Sequence, residues 1–281
     1  MLSKVRSRSH TGQANASIEA HFSRAYNPAV ERSAHMRPVL VLQHADCEPP
    51  AAYEDELRAR GVPLHRVLLG RDPDLPDWRY FAAIVVMGGA MGAYEDERYP
   101  WLAAEKRLIA EAVGADTPYW GVCLGAQLLA AALGARVVPG PGAELGVLPV
   151  ELTEDAALDP VFARAPASFT TLQWHGDTFE LPAGAVQLAR SSLYEQQAFV
   201  LGRAYALQFH LEVTSRLADE WMRIPAYVAE LEALDGPDAP ARLLEQMKAA
   251  EPESVPLARA LFSRWLERVV GIPPGPSPAS R

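Results

Sequence analysis

Apolar runs with no polar alternation most tightly constrain what this chain can fold into. PVLVLQH (38–44), AAIVVMGG (82–89) and TPYWGVC (117–123) are each apolar almost from end to end. A strand with one wet face alternates polar and apolar residues, whereas a strand covered on both faces does not, as in parallel sheets sandwiched by helices. Between these runs, AAYEDELRAR (51–60) and WLAAEKRLIAEAV (101–113) space their apolar residues at helical intervals. The alternation predicts an α/β fold, an open, mostly parallel twisted sheet with helices on both faces. After LGAQLLAAALG (124–134), further strand-like runs follow at 146–152, 168–174, 184–191, 196–202 and 204–210, which extend the sheet or form an antiparallel flank. From Thr214 to Ile272 the chain is helical in character. Pro225 breaks a first helix or starts a new one, residues 236–240 (GPDAP) form a linker, and helices are predicted at 241–250 and 254–270.

Charge divides the chain further. Lys and Arg number 26 against 35 Asp and Glu, a net charge of −9. That balance argues against a general nucleic-acid binder, which needs a basic face. Residues 1–36 run the other way, with five bases, two acids and no sustained apolar period. They read as a disordered leader, compatible with an organellar transit peptide or an over-extended reading frame. No apolar run approaches the ~20 residues of a membrane span, so a cytoplasmic protein without membrane contact is expected. Two cysteines, Cys47 and Cys123, exclude a disulfide framework and a Cys-based zinc cluster; neither metal nor cofactor is expected. The domain reading is a leader (1–36), a catalytic domain (38–214), a helical extension (215–272) and a Pro-rich tail (273–281).

Chemistry concentrates at three places. In GVCLGAQ (121–127) an apolar strand ends at a Cys and a helix starts at once, the layout of a nucleophile elbow. Gly121 and Gly125 leave room in such a tight turn, and a helix N-terminus beside Cys123 favours its thiolate. In AYALQFHLEV (204–213), His210 and Glu212 stand two apart at a predicted strand end, so both side chains point to one side. A carboxylate beside a His fixes the tautomer and leaves the other ring nitrogen free to take a proton from sulfur. MGGAMG (87–92) follows a central strand at the edge where open α/β sheets bind ligands. The N–H groups of this Gly pair and that of Leu124, the residue after the nucleophile, are candidate oxyanion donors. Cys47, in QHADCEPP, has no elbow and reads as a spectator thiol.

Taken in order, GVCLGAQ, the strand-end Gly pair, WHGDTF (174–179) and QFHLEV (208–213) resemble the class I, triad-type glutamine amidotransferases. The similarity is greatest to the stand-alone branch akin to the glutaminase part of GMP synthase, and it runs from about Pro38 to Thr214. The resemblance implies a flavodoxin-like sheet and Cys123 as nucleophile towards the side-chain amide of glutamine. His210 is then base and acid, Glu212 its orienter, and Gly89 and Leu124 the oxyanion donors. It further implies a substrate pocket containing Gly88, Gln127, Trp174, His175 and Asp177, with Asp177 facing the substrate ammonium. Ala90, where many members have Pro, and Leu211, where they often have Pro after the His, depart from the family pattern without removing a reacting group. There is no ATP-pyrophosphatase signature and no Lys-bearing phosphate loop. Three readings stay open: a glutamine-hydrolysing enzyme feeding a synthase or acceptor on another chain, a hydrolase of γ-glutamyl amines or peptides, and a non-catalytic binding module.

Overall fold

The protein is described by a computed structural model over residues 36–275; the predicted leader apart from Met36, and the last six residues of the predicted Pro-rich tail, lie outside the described residues. Nine strands form one sheet: β1 (Val39–Gln43), β2 (Leu64–Leu68), β3 (Ala83–Val86), β4 (Tyr119–Val122), β5 (Val137–Leu152), β6 (Ser168–Phe179), β7 (Val186–Arg190), β8 (Ala198–Leu201) and β9 (Ala204–Leu207). Their order across the sheet is β2-β1-β3-β4-β9-β8-β7-β5-β6. The first five in that order pair in parallel and the remainder antiparallel. The α/β class and the antiparallel flank are therefore as the sequence predicts. β2 is a strand that the apolar-run argument passes over. It is an edge strand with His65 and Arg66 exposed, so it lacks the continuous apolar pattern of a strand covered on both faces.

Alternation along each strand divides the core between the two faces. Val39 and Val41 of β1 point to one layer, Leu40 and Leu42 to the other. One layer holds α2 (Trp101–Gly114) and α3 (Leu124–Ala132). The other holds α1 (Ala52–Ala59) and the last long helix, α6 (Ala239–Trp265). The C-terminal part of α6 thus shares the core of the sheet: Phe262 and Trp265 are fully buried and pack on Trp120 of β4, with ring centroids 5.5 Å away in each case.

α6 corrects the expectation of two helices with a break near residue 252. It runs unbroken through Pro252 and Pro256. Each proline removes one helical hydrogen bond, but Val255, Ala258, Leu261, Phe262 and Trp265 lie on one buried stripe, and that burial outweighs the loss. Pro225 starts α5 (Pro225–Asp235) at its first position, where its missing N–H costs nothing. α4 (Ser215–Trp221) precedes it, capped by the Thr214 hydroxyl accepting from Leu217 N–H.

β1 leads through α1 to β2 on one side, while β3 pairs on the other side of β1. The order reverses there, and the crevice beyond the C-terminal ends of β1 and β3 is where sheets of this kind take ligands.

Candidate active site

Cys123 sits at the C-terminal end of β4, next to that crevice. Its N–H continues the β4–β9 ladder by donating to the Leu207 carbonyl at 2.8 Å, and α3 begins one residue later. Between the two, Cys123 takes φ 51° and ψ −108°. A residue with a Cβ adopts such a conformation at a cost of about 1–3 kcal/mol, which the flanking strand and helix hold in place. The turn closes only because Gly125 has no side chain: a Cβ there would run into the Val86 carbonyl, and one on Gly121 would lie 2.6 Å from the Gly125 carbonyl oxygen. The elbow predicted from GVCLGAQ is present, with the sulfur at the N-terminus of a helix.

His210 approaches from the neighbouring strand. The sequence places it at the end of a strand, but the β9 ladder stops at Leu207. His210 is held instead by one bridge to β6, its N–H donating to Leu172 at 2.8 Å and its carbonyl accepting from the Thr171 hydroxyl at 2.7 Å. The pairing with Glu212 survives this change, Nδ1 lying 2.8 Å from Glu212 Oε1. A carboxylate only accepts, so the proton is on Nδ1 and Nε2 is free for sulfur. Burial pulls the imidazole pKa down, but the Glu212 carboxylate, the Cys123 charge and side-chain hydrogen bonds to both raise it well above its ordinary value. The edge of the Trp221 ring packs against it at 5.6 Å.

Gly88 and Gly89 follow β3 at the switch point. A Cβ on Gly89 would lie 2.9 Å from Leu124 Cδ2, so the loop and the first residue of α3 are in close contact. Leu124 opens the helix, where backbone N–H groups have no helical acceptor. A buried device, missed by sequence reading, fixes the loop. His44 Nδ1 donates to the Gly88 carbonyl at 2.9 Å, while Nε2 lies 3.1 Å from both oxygens of Glu105. Both partners are acceptors, so the ring donates from both nitrogens and is an imidazolium. Burial opposes that charge, and Glu105 and the Gly88 bond overcome it, raising the pKa. A group whose folded pKa lies above its unfolded value stabilises fully below about pH 6.5, and this contribution fades as pH rises through the folded value. The unfolding free energy of wild type should therefore exceed that of His44→Gln most at acidic to neutral pH. The gap should shrink in alkaline buffer; a gap constant from pH 6 to 9 would refute the assignment.

The cleft above Cys123 has a volume of about 420 Å³. Gly89, Leu124, Gln127, Trp174, His175 and Asp177, all expected from the sequence, line it, while Gly88 lies just beneath. Gln127 donates to Gln208 Oε1 at 3.2 Å, and Gln208 Nε2 lies 3.6 Å from the sulfur. Asp177 accepts from the Tyr94 hydroxyl at 3.4 Å at the mouth. His175 is turned towards protein: Nδ1 donates to the Asp177 carbonyl at 3.0 Å and Nε2 lies 3.3 Å from Glu144.

Sequence reading missed the wall built by α4 and α5. Trp221, Tyr227 and Glu230 line the cleft, and Trp174 packs on both Trp221 and Tyr227. It also missed Glu48, a cleft carboxylate that accepts from the Tyr227 hydroxyl at 2.9 Å. Cys47, its neighbour, lies at the rim of the site, its thiol 3.8 Å from the same hydroxyl and its carbonyl accepting from Trp221 Nε1 at 2.7 Å. Burial pushes that thiol's pKa up, which disfavours the thiolate. The available signal was position: residues 44–48 follow β1 at the switch point, as 87–92 follow β3.

Comparison with known proteins fits this geometry. The sequence model described as glutamine amidotransferase class-I matches residues 52–223. The glutamine amidotransferase-like protein YfeJ of Salmonella typhimurium is 34% identical over 177 residues, 61% of this chain and 74% of its own. A glutamine-hydrolysing GMP synthase of Thermomicrobium roseum is 33% identical over 159 residues, 56% of this chain but only 28% of that protein. The crystal structure of a glutamine amidotransferase from Thermotoga maritima superposes with a TM-score of 0.75 at 37% identity, covering 84% of this chain and 99% of that one. One from Methylobacillus flagellatus gives 0.75 at 28% identity, covering 86% and 98%. No helix among the described residues is long and apolar enough to cross a membrane. An elbow cysteine facing a carboxylate-bound histidine, on a sheet of this topology and with a family match spanning most of the chain, leads to one conclusion: the chain belongs to the class-I glutamine amidotransferases.

Proposed function

We propose that the protein hydrolyses the side-chain amide of glutamine through a γ-glutamyl thioester on Cys123. The observation that carries this reading is the strained elbow thiol beside an imidazole whose Nδ1 is bound to Glu212 at 2.8 Å. Cys123 sulfur attacks the amide carbon as His210 Nε2 takes the thiol proton. The oxyanion forms against the Gly89 and Leu124 N–H groups, donors fixed before the reaction begins. The imidazolium returns the proton to the leaving nitrogen and ammonia departs. Water, deprotonated by His210, then cleaves the thioester, releasing glutamate and restoring the thiol. Gln127 and Trp174 shape the pocket, His175 holds its wall, and Asp177 receives the substrate ammonium. The ammonia passes to a synthase or other acceptor, a reading supported by the match to a glutamine-hydrolysing GMP synthase.

The test follows ammonia release from glutamine, and amine release from γ-glutamyl amides, with wild type and Cys123→Ala. A glutamine-mimicking diazo-ketone is the second readout. Wild type should release ammonia and gain one covalent adduct, and the variant should do neither. Amine release without ammonia release would reassign the substrate to γ-glutamyl amines. The absence of adduct and of both products, with candidate partners present, would leave a binding module.

A further inference from the structure

Glu48 is a buried carboxylate in the cleft that the triad does not use. It is only 7% exposed. Oε1 accepts the Tyr227 hydroxyl. Oε2 lies over Gly88, where an added Cβ would run into it and would also stand 3.1 Å from His210 Cε1. The second oxygen and the carbon edge of the catalytic imidazole thus converge on the same small volume. Cε1 lies between the two ring nitrogens, so a charge beside it acts on the ring without taking either N–H.

We propose that Glu48, held by Tyr227, is a second carboxylate positioned against His210, which stabilises the imidazolium formed when sulfur gives up its proton. It is a positioning residue acting through the ring, and this inference rests on the acid–base role given to His210 above. Burial works against its charge, raising its pKa, while His210, the Tyr227 hydroxyl and His44 favour the ionised form. Such coupling is reciprocal: a proton on the imidazole that favours ionised Glu48 is itself favoured by it. The other ionisable groups in this cluster are Glu212 and Cys123 at His210, Tyr53 at Glu212, His44 and Glu212 near Glu48, and Cys47 at Tyr227. Glu212 fixes the tautomer by binding Nδ1; Glu48 makes no such bond and contributes charge alone. α5 therefore supplies the donor that keeps this charge in place.

The experiment is an NMR titration of histidine-labelled protein, with the His210 signal assigned by its loss in His210→Asn. It reads the ring without turnover, so failure of glutamine hydrolysis and failure of this proposal are separate results. In Glu48→Gln, which keeps shape and the bond from Tyr227, the His210 midpoint should fall by about one pH unit or more. In Tyr227→Phe it should fall in the same direction by less. The acidic limb of the ammonia-release profile, where protonation of His210 removes the base, should move down in the same order. A His210 midpoint within about 0.2 unit of wild type in Glu48→Gln would overturn the proposal, because Glu48 would then be neutral or without influence on the ring.

Discussion

Glu212→Gln should leave the protein folded and lower kcat for glutamine hydrolysis by about 10⁴-fold, the scale seen when the orienting carboxylate of such a triad becomes an amide. The reason lies in one hydrogen bond. Glu212 Oε1 accepts from His210 Nδ1 at 2.8 Å, which places the remaining lone pair on Nε2, facing Cys123. A glutamine can present its NH₂ at that position, and the ring then keeps its proton on Nε2 and cannot take one from sulfur. The size is nearly unchanged, so unfolding should respond far less than turnover. The charge is lost as well, and with it the largest influence raising the His210 pKa against burial. The pH at which the imidazole titrates should therefore fall. Steady-state ammonia release and urea unfolding on the same preparation would check this. A variant that loses no more than tenfold in kcat would remove Glu212 from the mechanism.

The largest effect on stability is expected at Trp265. The side chain is fully buried, with its ring centroid 5.2 Å from Phe262 and 5.5 Å from Trp120. Trp265→Ala should cost about 3–5 kcal/mol, read as a lower urea midpoint at an unchanged slope. Tyr53 packs on both Trp120 and Phe262, so few neighbours can move into the gap. A chain truncated at Thr214 should fare worse, since it bares the whole layer that α6 covers. We expect it to be recovered only as aggregate; a soluble, monomeric, cooperatively unfolding product would contradict the packing described above.

The sheet was legible because its central strands are covered on both faces and carry no polar alternation. The elbow was legible because the conformation of Cys123 demands glycines at fixed offsets, Gly121 and Gly125. His210 and Glu212 could be paired because they are two residues apart, and their hydrogen bond forms although the ladder ends at Leu207. His44 and Glu105 could not be paired: they meet across 61 residues, with no period to link them. Glu48 and Tyr227 are further apart still, 179 residues, and are joined only by the path of the C-terminal helices over the cleft. The unbroken α6 was hidden for a different reason. Local propensity at Pro252 and Pro256 argues for a stop, and only the tertiary burial of the stripe from Val255 to Trp265 overrides it.

Tyr227 and Trp221, gripping the segment that holds Cys47 and Glu48, have a consequence for the order in which the molecule is made. Synthesis proceeds from the N-terminus, so Cys123, His210 and Glu212 leave the ribosome before α5 and α6 do. A nascent chain can thus hold every group of the proposed triad and still lack the wall of the cleft and the cover of the core. On this reading, ammonia release begins only after the last helix has docked. A chain clipped within α6 would then be silent, rather than a wasteful glutaminase.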